Sequence, residues 1–326
     1  MRFIGLIVAM LLAVLALAAG DKFTPAELFI IQWGEAPDEL KICPVAYEDV
    51  DGTPEDSTDD MLFPCGGPTY GFVDHKENIY FSSYEFGQFK AFDNFGNLFL
   101  DLSRGTSAYN EEIFASCAFK FAVDSKGFIY FVSFPELRYV PVVDKAGVIV
   151  NKLYPCGESD PVEVDNIYFN YDDVMAFSCG HRGYRTYLDS HFIPSGSAYW
   201  GRDGNYYTAR QMDSSIVEFK KYGNPDSTGW GQWREVINVD MGEEIYMRDF
   251  FGVDDNMLLY IIFDDTHNNT KIRSYTTEYI LRDELVWPHY ENRFEWEMAP
   301  FLRSDGNVYE FRCLDDGLHV IRWSKQ

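Results

Sequence analysis

The chain has 326 residues, with 52 Asp and Glu against 27 Lys and Arg, which gives a formal net charge of −25 at pH 7. Phosphate backbones and anionic membrane surfaces are held by clustered Lys and Arg, so this balance excludes nucleic acid as a partner and disfavours a membrane surface. The charge is typical of a soluble acidic protein, and it also suits a protein that binds cations.

The first predicted element is an apolar leader. Residues 1–20 combine Arg2, a short apolar run and the small residues of Ala16–Gly20, a pattern typical of a cleaved secretory signal. A membrane anchor is the alternative, because the run is at the short limit for a span. We predict an exported protein, periplasmic or extracellular, with no membrane span in the mature chain. Residues 21–326 are expected to form a single monomeric domain.

The chain contains six cysteines, an even number that permits disulfides in an exported protein. One predicted pair is Cys43 with Cys65, and the other is Cys156 with Cys179. Cys117 and Cys313 are expected to be buried thiols. Six cysteines allow about 15 connectivities, so the sequence leaves other pairings open.

An acidic loop at residues 47–60 precedes the regular part of the chain, and seven of its residues are Asp or Glu. Asp49 and Asp51 followed by Gly52 resemble the start of a calcium loop. An EF-hand is excluded, because the sixth position of that loop requires Gly and is Pro54 here. The open alternatives are a Ca²⁺ site that uses Asp49 and Asp51, or a solvated insertion.

A phrase then recurs, in which an acidic or polar turn is followed by an apolar-aromatic strand. Its tyrosines succeed one another at steps of 50, 38, 39, 53 and 49 residues: Tyr80, Tyr130, Tyr168, Tyr207, Tyr260 and Tyr309. Several short strands in each unit of about 40–50 residues are the signature of a β-propeller. We therefore predict an all-β fold, a six-bladed β-propeller with four-stranded antiparallel blades whose strands are named A to D.

Two blades depart from the regular pattern. The third is predicted with strands at Pro161–Val164, Asn166–Asn170, Val174–Ser178 and Tyr184–Leu188. The sixth lacks a D strand before the chain ends, whereas the strand-like segment Leu28–Trp33 belongs to no unit. We predict that Leu28–Trp33 pairs beside Leu318–Trp323 and closes the ring, since an open ring leaves two sheet edges exposed. A free N-terminal arm is the alternative.

Candidate binding residues come from the loops between strands B and C, which the pattern places on one face around the central channel. Each predicted B–C loop carries a carboxylate. The candidate ligand-binding residues of this face are Tyr84, Glu85, Glu136, Asp172, Asp173, Arg210, Asp213, Asp264, His267 and Asp315. If these carboxylates converge, they require a cation or Arg partners such as Arg138, Arg210, Arg248 and Arg312. Asp172 and Asp264 are thus candidate Ca²⁺ ligands, and the alternative is solvated acids that do not converge.

Catalytic motifs are absent from the sequence, including the G-x-S-x-G elbow, the H-E-x-x-H zinc motif and the P-loop. The sequence therefore favours an exported non-enzymatic binding or scaffold propeller that presents its loops to a protein or carbohydrate partner. The alternative function is a calcium-dependent hydrolase, lactonase or esterase-like, with a metal site on the axis. No catalytic residue is assigned, and Ca²⁺ is the one candidate cofactor.

The repeat resembles the six-bladed propellers of the NHL and TolB-like type. The resemblance rests on Asp124-Ser-Lys-Gly-Phe-Ile-Tyr130, Phe92-Asp-Asn-Phe-Gly96 and Val143-Asp-Lys-Ala-Gly147. It implies the same fold over nearly all of the chain after the leader. It implies no single function, because this architecture hosts both binding modules and hydrolases. The axial Glu, Asn, Asn and Asp set of the calcium-dependent lactonases of this shape has no residue-by-residue match here.

Overall fold

The structure is a computed structural model. It describes residues 23–41, 67–83, 86–108, 120–132, 139–154, 164–169, 175–179, 184–186, 192–193, 199–223, 233–287, 298 and 300–325. These ranges contain β-strands and turns and no helix, so none of them holds a helix that could cross a membrane. The strands form four-stranded antiparallel sheets, and the all-β class is confirmed.

Five of the sheets each consist of four strands that follow one another in the chain. The first contains β2 Tyr70–Val73, β3 Ile79–Ser83, β4 Gln88–Phe92 and β5 Leu98–Asp101. The second contains β6 Lys120–Val123, β7 Ile129–Val132, β8 Val140–Val143 and β9 Ile149–Leu153. The third contains β10 Val164–Phe169, β11 Met175–Cys179, β12 Tyr184–Thr186 and β13 Phe192–Ile193.

The fourth and fifth sheets follow the same order. The fourth contains β14 Tyr199–Trp200, β15 Tyr206–Gln211, β16 Ile216–Tyr222 and β17 Trp233–Asp240. The fifth contains β18 Ile245–Val253, β19 Leu259–Asp265, β20 Thr270–Tyr275 and β21 Leu281–Val286. A sixth sheet is built from both ends of the chain, with β22 Phe301–Leu302, β23 Val308–Leu314, β24 Gly317–Lys325 and β1 Phe23–Ile31.

Strand β1 pairs antiparallel with β24, so the predicted pairing of the N-terminal strand is confirmed, although its bounds were wrong. The register runs from Phe23 opposite Lys325 to Ile31 opposite Leu318. The sequence prediction missed the first half of β1, which contains Pro25 and exposed residues. Pro is tolerated there because β1 is the outermost strand, and an edge strand does not need every N–H for pairing.

The predicted strand assignment in the third sheet was wrong. The segment around Tyr168 belongs to β10, the first strand of its sheet, and not to a second strand. The segments predicted as the third and fourth strands are therefore the second and third, β11 and β12. The fourth strand is β13, which the sequence prediction did not include. The strand beginning at Val164 also resembles the recurring phrase, so the local pattern could not distinguish a first strand from a second.

Apolar clusters that are rich in aromatic residues fill contacts between successive sheets. Between the sixth and first sheets, the Phe81 and Phe311 rings meet edge to face at 5.2 Å. Between the first and second sheets, Phe89 and Phe131 do the same at 5.0 Å. Further clusters join the fourth sheet to the fifth and the fifth to the sixth. Such aromatic pairs add about 0.5–1.5 kcal/mol each to the burial of their surface.

In the first and fifth sheets, the recurring phrase encodes a buried hydrogen bond that fixes the A–B turn to strand B. The hydroxyl of Tyr80 donates to Asp74 at 3.2 Å, and the hydroxyl of Tyr260 donates to Asp254 at 2.8 Å. The other carboxylate oxygen of each Asp accepts two backbone N–H groups of its turn. Burial, reinforced by the neighbouring carboxylate, raises the pKa of both tyrosines. The tyrosine that marks the repeat in the sequence is thus the donor of this hydrogen bond in the structure.

The sixth sheet breaks this rule and supplies a control. Arg303 stands where Asp74 and Asp254 stand in their turns, so the buried Tyr309 hydroxyl lacks the bond to a carboxylate that Tyr80 and Tyr260 make, and it lies beside the Arg303 side chain instead. We expect Tyr80→Phe to lower the free energy of unfolding by about 1.5–3 kcal/mol, the usual value for a hydrogen bond to a charged group. Tyr309→Phe is expected to be nearly neutral. Urea unfolding of the two variants measures the difference, and equal losses would contradict it.

A charged cluster is buried between the fifth and sixth sheets. Lys325 Nζ lies 3.3 Å from Asp283 Oδ2 and 3.9 Å from Asp254 Oδ2, and it hydrogen-bonds to the Tyr260 hydroxyl. Asp254 is 0% exposed and Asp283 is 4% exposed. The Ser274 hydroxyl donates to Asp283 at 3.0 Å. Two buried carboxylates that otherwise accept hydrogen bonds from neutral donors thus share the positive charge of Lys325, which lies near the end of the chain.

The predicted thiol at Cys313 is confirmed as a buried residue of the core. Cys117, the two predicted disulfides and the candidate calcium residues Asp49 and Asp51 lie outside the residues whose side chains the structure describes.

Candidate functional site

The candidate site lies where the fourth sheet meets the fifth, at the end of the sheets that carries the turns between strands B and C. We call this end the B–C end. The side chain of Gln211 joins the two sheets, because its Nε2 donates to the Ile245 carbonyl at 2.7 Å and its Oε1 accepts the Met247 N–H at 2.8 Å. The Ile245 N–H also donates to the Ser214 carbonyl at 2.6 Å. The turn after β15 is therefore fixed to the start of β18.

Four large side chains are exposed at this junction. Tyr246 is 70% exposed and Met212 is 49% exposed, and each is the chain neighbour of a residue in the Gln211 hydrogen bonds. The side chains of Arg210 and Arg248 are 60% and 49% exposed. We call Arg210, Met212, Tyr246 and Arg248 the junction patch. Tyr, Met and Arg are the residue types enriched at protein interfaces.

A β-bulge positions Arg248. The register between β18 and β19 shifts between Met247 and Asp249, which leaves Arg248 without a cross-strand partner. Its Nε donates to Asp264 Oδ2 at 2.7 Å, and the Thr270 hydroxyl donates to Asp264 Oδ1 at 2.7 Å. Both oxygens of Asp264 are therefore occupied, one of them by Arg248, which the sequence offered as a partner if the B–C carboxylates converge.

Arg210, on the fourth sheet, is likewise paired with a carboxylate. Its Nε donates to Glu218 at 2.6 Å, and Lys220 lies 2.9 Å from the same oxygen. Burial alone raises the pKa of the Glu218 carboxyl, but the hydrogen bonds from Lys220 and Arg210 outweigh it and lower the pKa. Glu218 is therefore charged at neutral pH.

Deeper in the fifth sheet, the charges form one network. Lys271 Nζ contacts Glu243 at 2.8 Å and Asp265 at 3.2 Å. Arg273 binds Glu243, Glu284 and the Met241 carbonyl. Hydrogen bonds from Asn269 are the largest cause that lowers the pKa of Asp265. The network therefore leaves these carboxylates paired with cations or amides of the protein.

The predicted site residues are only partly brought together. Arg210 and Asp213 flank one turn, and Asp264 and His267 flank the neighbouring one. Asp213 accepts the N–H groups of Ser215 and Ile216 at 2.9 Å and so caps its own turn. His267 has an exposed side chain, and Asp315 is exposed on the turn between β23 and β24.

The remaining predicted site residues lie outside the described residues, namely Tyr84, Glu85, Glu136, Asp172 and Asp173. The corrected strand order moves the last two out of the predicted set, because residues 170–174 connect β10 to β11, the first and second strands of their sheet. The true B–C connection of that sheet is residues 180–183, Gly-His-Arg-Gly, which has no carboxylate. The prediction that each B–C loop carries an acid was therefore wrong for the third sheet.

Within the described part of the chain, no three His, Cys, Asp or Glu side chains are grouped so that they could hold a metal ion. Sequence reasoning missed Tyr246, whereas it placed Gln211 and Met212 in a B–C loop without choosing them as candidate site residues. Tyr246 begins a strand of alternating apolar residues and resembles a core aromatic. The bulge that changes the side-chain alternation beyond Met247 is visible in the pairing of β18 with β19 and not in the sequence.

Comparison with known proteins identifies no family, since no protein-family model matches the chain and no curated protein is similar to it. Solved β-propeller structures are similar. A virginiamycin B lyase from Staphylococcus aureus is 11% identical, covers 75% of this chain and 77% of its own, and has a TM-score of 0.41. A protein assigned as a gluconolactonase is 10% identical, covers 93% and 92%, and has a TM-score of 0.49. BBS1N in complex with ARL6DN is 12% identical, covers 79% and 78%, and has a TM-score of 0.42.

These structures include both enzymes and a protein that binds another protein. At such low identities and TM-scores, the likeness does not choose between these functions for this chain.

Proposed function

We propose that this chain is an exported six-bladed β-propeller of the NHL or TolB-like type, closed by β1, and that it acts as a non-enzymatic binding module. The junction patch at the B–C ends of the fourth and fifth sheets is the proposed contact surface. The proposed partner is a protein or a carbohydrate. Six four-stranded sheets, the last of which joins both ends of the chain, support the proposed ring.

The observation that carries the binding function is the exposure of Tyr246 and Met212 on a rigid frame. Aromatic and Met side chains that are exposed to water are unfavourable in free energy. A partner that covers them removes this apolar surface from water and so gains binding free energy. Gln211 holds the backbone on both sides, so a partner meets a preformed surface and loses little entropy in ordering it. Arg210 and Arg248 add hydrogen-bond donors at the rim of this surface. The Nε of each is already bound to a carboxylate of the protein.

The same geometry does not favour catalysis at the described B–C acids. Asp264 is bound by Arg248 and Thr270, and Asp213 is bound by its own turn. A general base or metal ligand must present an oxygen to substrate or metal, whereas both oxygens of Asp264 and Oδ1 of Asp213 are bound within the protein.

The second candidate function is a calcium-dependent hydrolase of the lactonase or esterase type. The acids at Glu85 and Glu136 in predicted B–C loops favour it, together with the acidic loop 47–60. Calorimetric titration of chelator-treated protein with Ca²⁺, together with a screen of lactone and ester substrates, tests it. Calcium-dependent turnover would replace the binding proposal, whereas Ca²⁺ binding that is lost only on deletion of residues 48–60 would assign the ion to that loop.

We expect Tyr246→Ser with Met212→Ser to weaken partner binding and leave stability unchanged. The probes are a glycan array and a displayed peptide library, from which ligands are selected with the unaltered protein. Loss of an aromatic anchor with its apolar neighbour is expected to weaken the selected ligand about 30-fold or more, the effect of a hot spot of about 2 kcal/mol. Biosensor titration measures it.

The matched control is Val148→Ser with Val150→Ser in the second sheet, where both residues are also about half exposed. This control is expected to bind as the unaltered protein does. Equal affinities of both double variants would place the contact surface elsewhere, and a failure to select any ligand would oppose the binding function itself.

A further inference from the structure

The contact between β1 and β24 includes one histidine that bridges two carboxylates. His319 on β24 is 8% exposed. Its Nδ1 lies 2.7 Å from Glu27 Oε2 on β1, and its Nε2 lies 2.9 Å from Asp316 Oδ1 on the turn before β24. Glu27 is 292 positions away in the chain. The bridge therefore ties the first strand to the last one.

We propose that His319 makes the attachment of β1 to the sixth sheet depend on pH, so that β1 is held tightly when the imidazole is protonated and loosely when it is neutral. The reason is the number of protons on the ring. A carboxylate accepts hydrogen bonds and donates none, so both contacts need an N–H on the histidine side. A neutral imidazole has one N–H, and one carboxylate would then face a nitrogen lone pair.

The charges around His319 favour the imidazolium. Glu27 faces it from β1 and Asp316 from the preceding turn, whereas Arg312 is its cross-strand neighbour on β23. Arg312 is paired with Glu310, at 2.9 Å from Nε to Oε1, so its positive charge is compensated locally. Burial lowers the pKa of His319, but the hydrogen bonds and charges of Glu27 and Asp316 outweigh it, and the pKa is raised above its ordinary value.

The direction of the effect on stability follows from linkage. Because the folded-state pKa lies above the unfolded-state value of about 6.5, the stabilisation is fully present below pH ~6.5. It is lost as pH rises through the folded-state pKa. Each pKa unit of difference corresponds to about a tenfold change in the equilibrium between attached and detached β1.

A β-bulge between Glu27 and Phe29 interrupts the pairing of β1 with β24 close to the Glu27–His319 contact. The register shift at this point brings Ile30 opposite His319, whereas Glu27 stands opposite Ile321. The bulge interrupts the ladder next to Glu27, so the ion pair replaces cross-strand support where the ladder is weakest. Exposed residues of β1 before the bulge contribute little apolar burial that could hold the strand without it.

Hydrogen exchange of residues 23–31, measured by mass spectrometry, tests the proposal with His319→Gln against the unaltered protein. At pH 5.5 the variant is expected to exchange β1 amides about tenfold faster, relative to the unaltered protein at the same pH. At pH 8.5, or higher if the unaltered protein has not finished titrating, the two are expected to agree. A rate ratio that is the same at both values of pH would overturn the proposal.

Two further variants keep the test decisive if His319→Gln does not fold. Glu27→Gln with Asp316→Asn keeps the histidine and replaces both carboxylates by neutral amides, which can accept from a ring N–H or donate to a ring lone pair, so the pH dependence of β1 exchange is expected to disappear. His75→Gln is the matched control, because His75 has an exposed side chain and contributes only its carbonyl to Arg303. A pH-dependent exchange of β1 that survives in the carboxylate variant would also overturn the proposal.

Discussion

Deletion of residues 21–34 is expected to abolish cooperative folding of the chain or to lower its melting temperature by more than any single substitution. Strand β1 pairs along its whole length with β24, and Ile31 is buried against Leu318 in the cluster between the sixth and first sheets. Each buried large apolar side chain contributes about 1.5–3 kcal/mol, and a whole domain is stable by only about 5–15 kcal/mol. The loss of a complete strand removes a comparable amount.

The deletion also exposes the edge of β24, so aggregation is expected above the transition. Differential scanning calorimetry and light scattering measure both effects. Addition of a synthetic peptide of residues 21–34 is the control, since it restores the missing strand without restoring the connection. A deleted chain with unchanged unfolding would mean that β1 is a removable arm and that the proposed ring does not need it.

The architecture was predictable because the turns and strands of this chain use local chemistry. Asp124, Gly127 and Gly147 define turns that their sequence alone specifies, and Gly127 and Gly147 have φ values of 85° and 81°, where a side chain would be strained. The alternation of Ile79 and Phe81 with their neighbours likewise indicates a strand in any sheet. Element types and the N-terminal pairing were therefore confirmed.

The errors arose where local chemistry is degenerate. A first strand and a second strand are both short, aromatic and followed by a polar turn, so the segment at Tyr168 was assigned to the wrong position in its sheet. This error also affected the predicted site residues, because Asp172 and Asp173 were placed in a B–C loop on the basis of that assignment. An alternation of apolar residues gives the strand, whereas its place within a sheet depends on pairing partners far away in the chain.

The candidate site was predicted for its charges but not for its apolar part. Asp264 and Arg248 were recognisable because a carboxylate in a loop needs a cation nearby. Tyr246 was not recognisable, since its exposure is set by the bulge at Arg248 and by the docking of Gln211, which is 34 positions away from Ile245. Exposure is a property of packing between sheets, and a pattern within one strand does not contain it.

Lys325→Met is expected to cost about 3 kcal/mol of unfolding free energy, the low end of the range for removing one partner of a buried charge pair. The low end applies because 18% of the Lys325 side chain is exposed. Met keeps the length and apolar contacts of the side chain, so the loss measures the charge. Without the ammonium group, Asp254 and Asp283 repel each other in a site from which water is excluded. Urea unfolding at neutral pH measures the loss.

Two comparisons separate this explanation from a loss of packing. Lys76→Met, on an exposed turn, is expected to change stability by less than about 0.5 kcal/mol. Adding Asp283→Asn to Lys325→Met is expected to recover part of the loss, because the neutral amide removes the repulsion, and a double-mutant cycle gives the coupling. If the second substitution adds its own full cost, the loss does not come from repulsion between Asp254 and Asp283, and the contacts of the Lys325 ammonium group with the Phe23 and Tyr260 rings, at 5.7 and 4.7 Å from Nζ to the ring centroids, are its source.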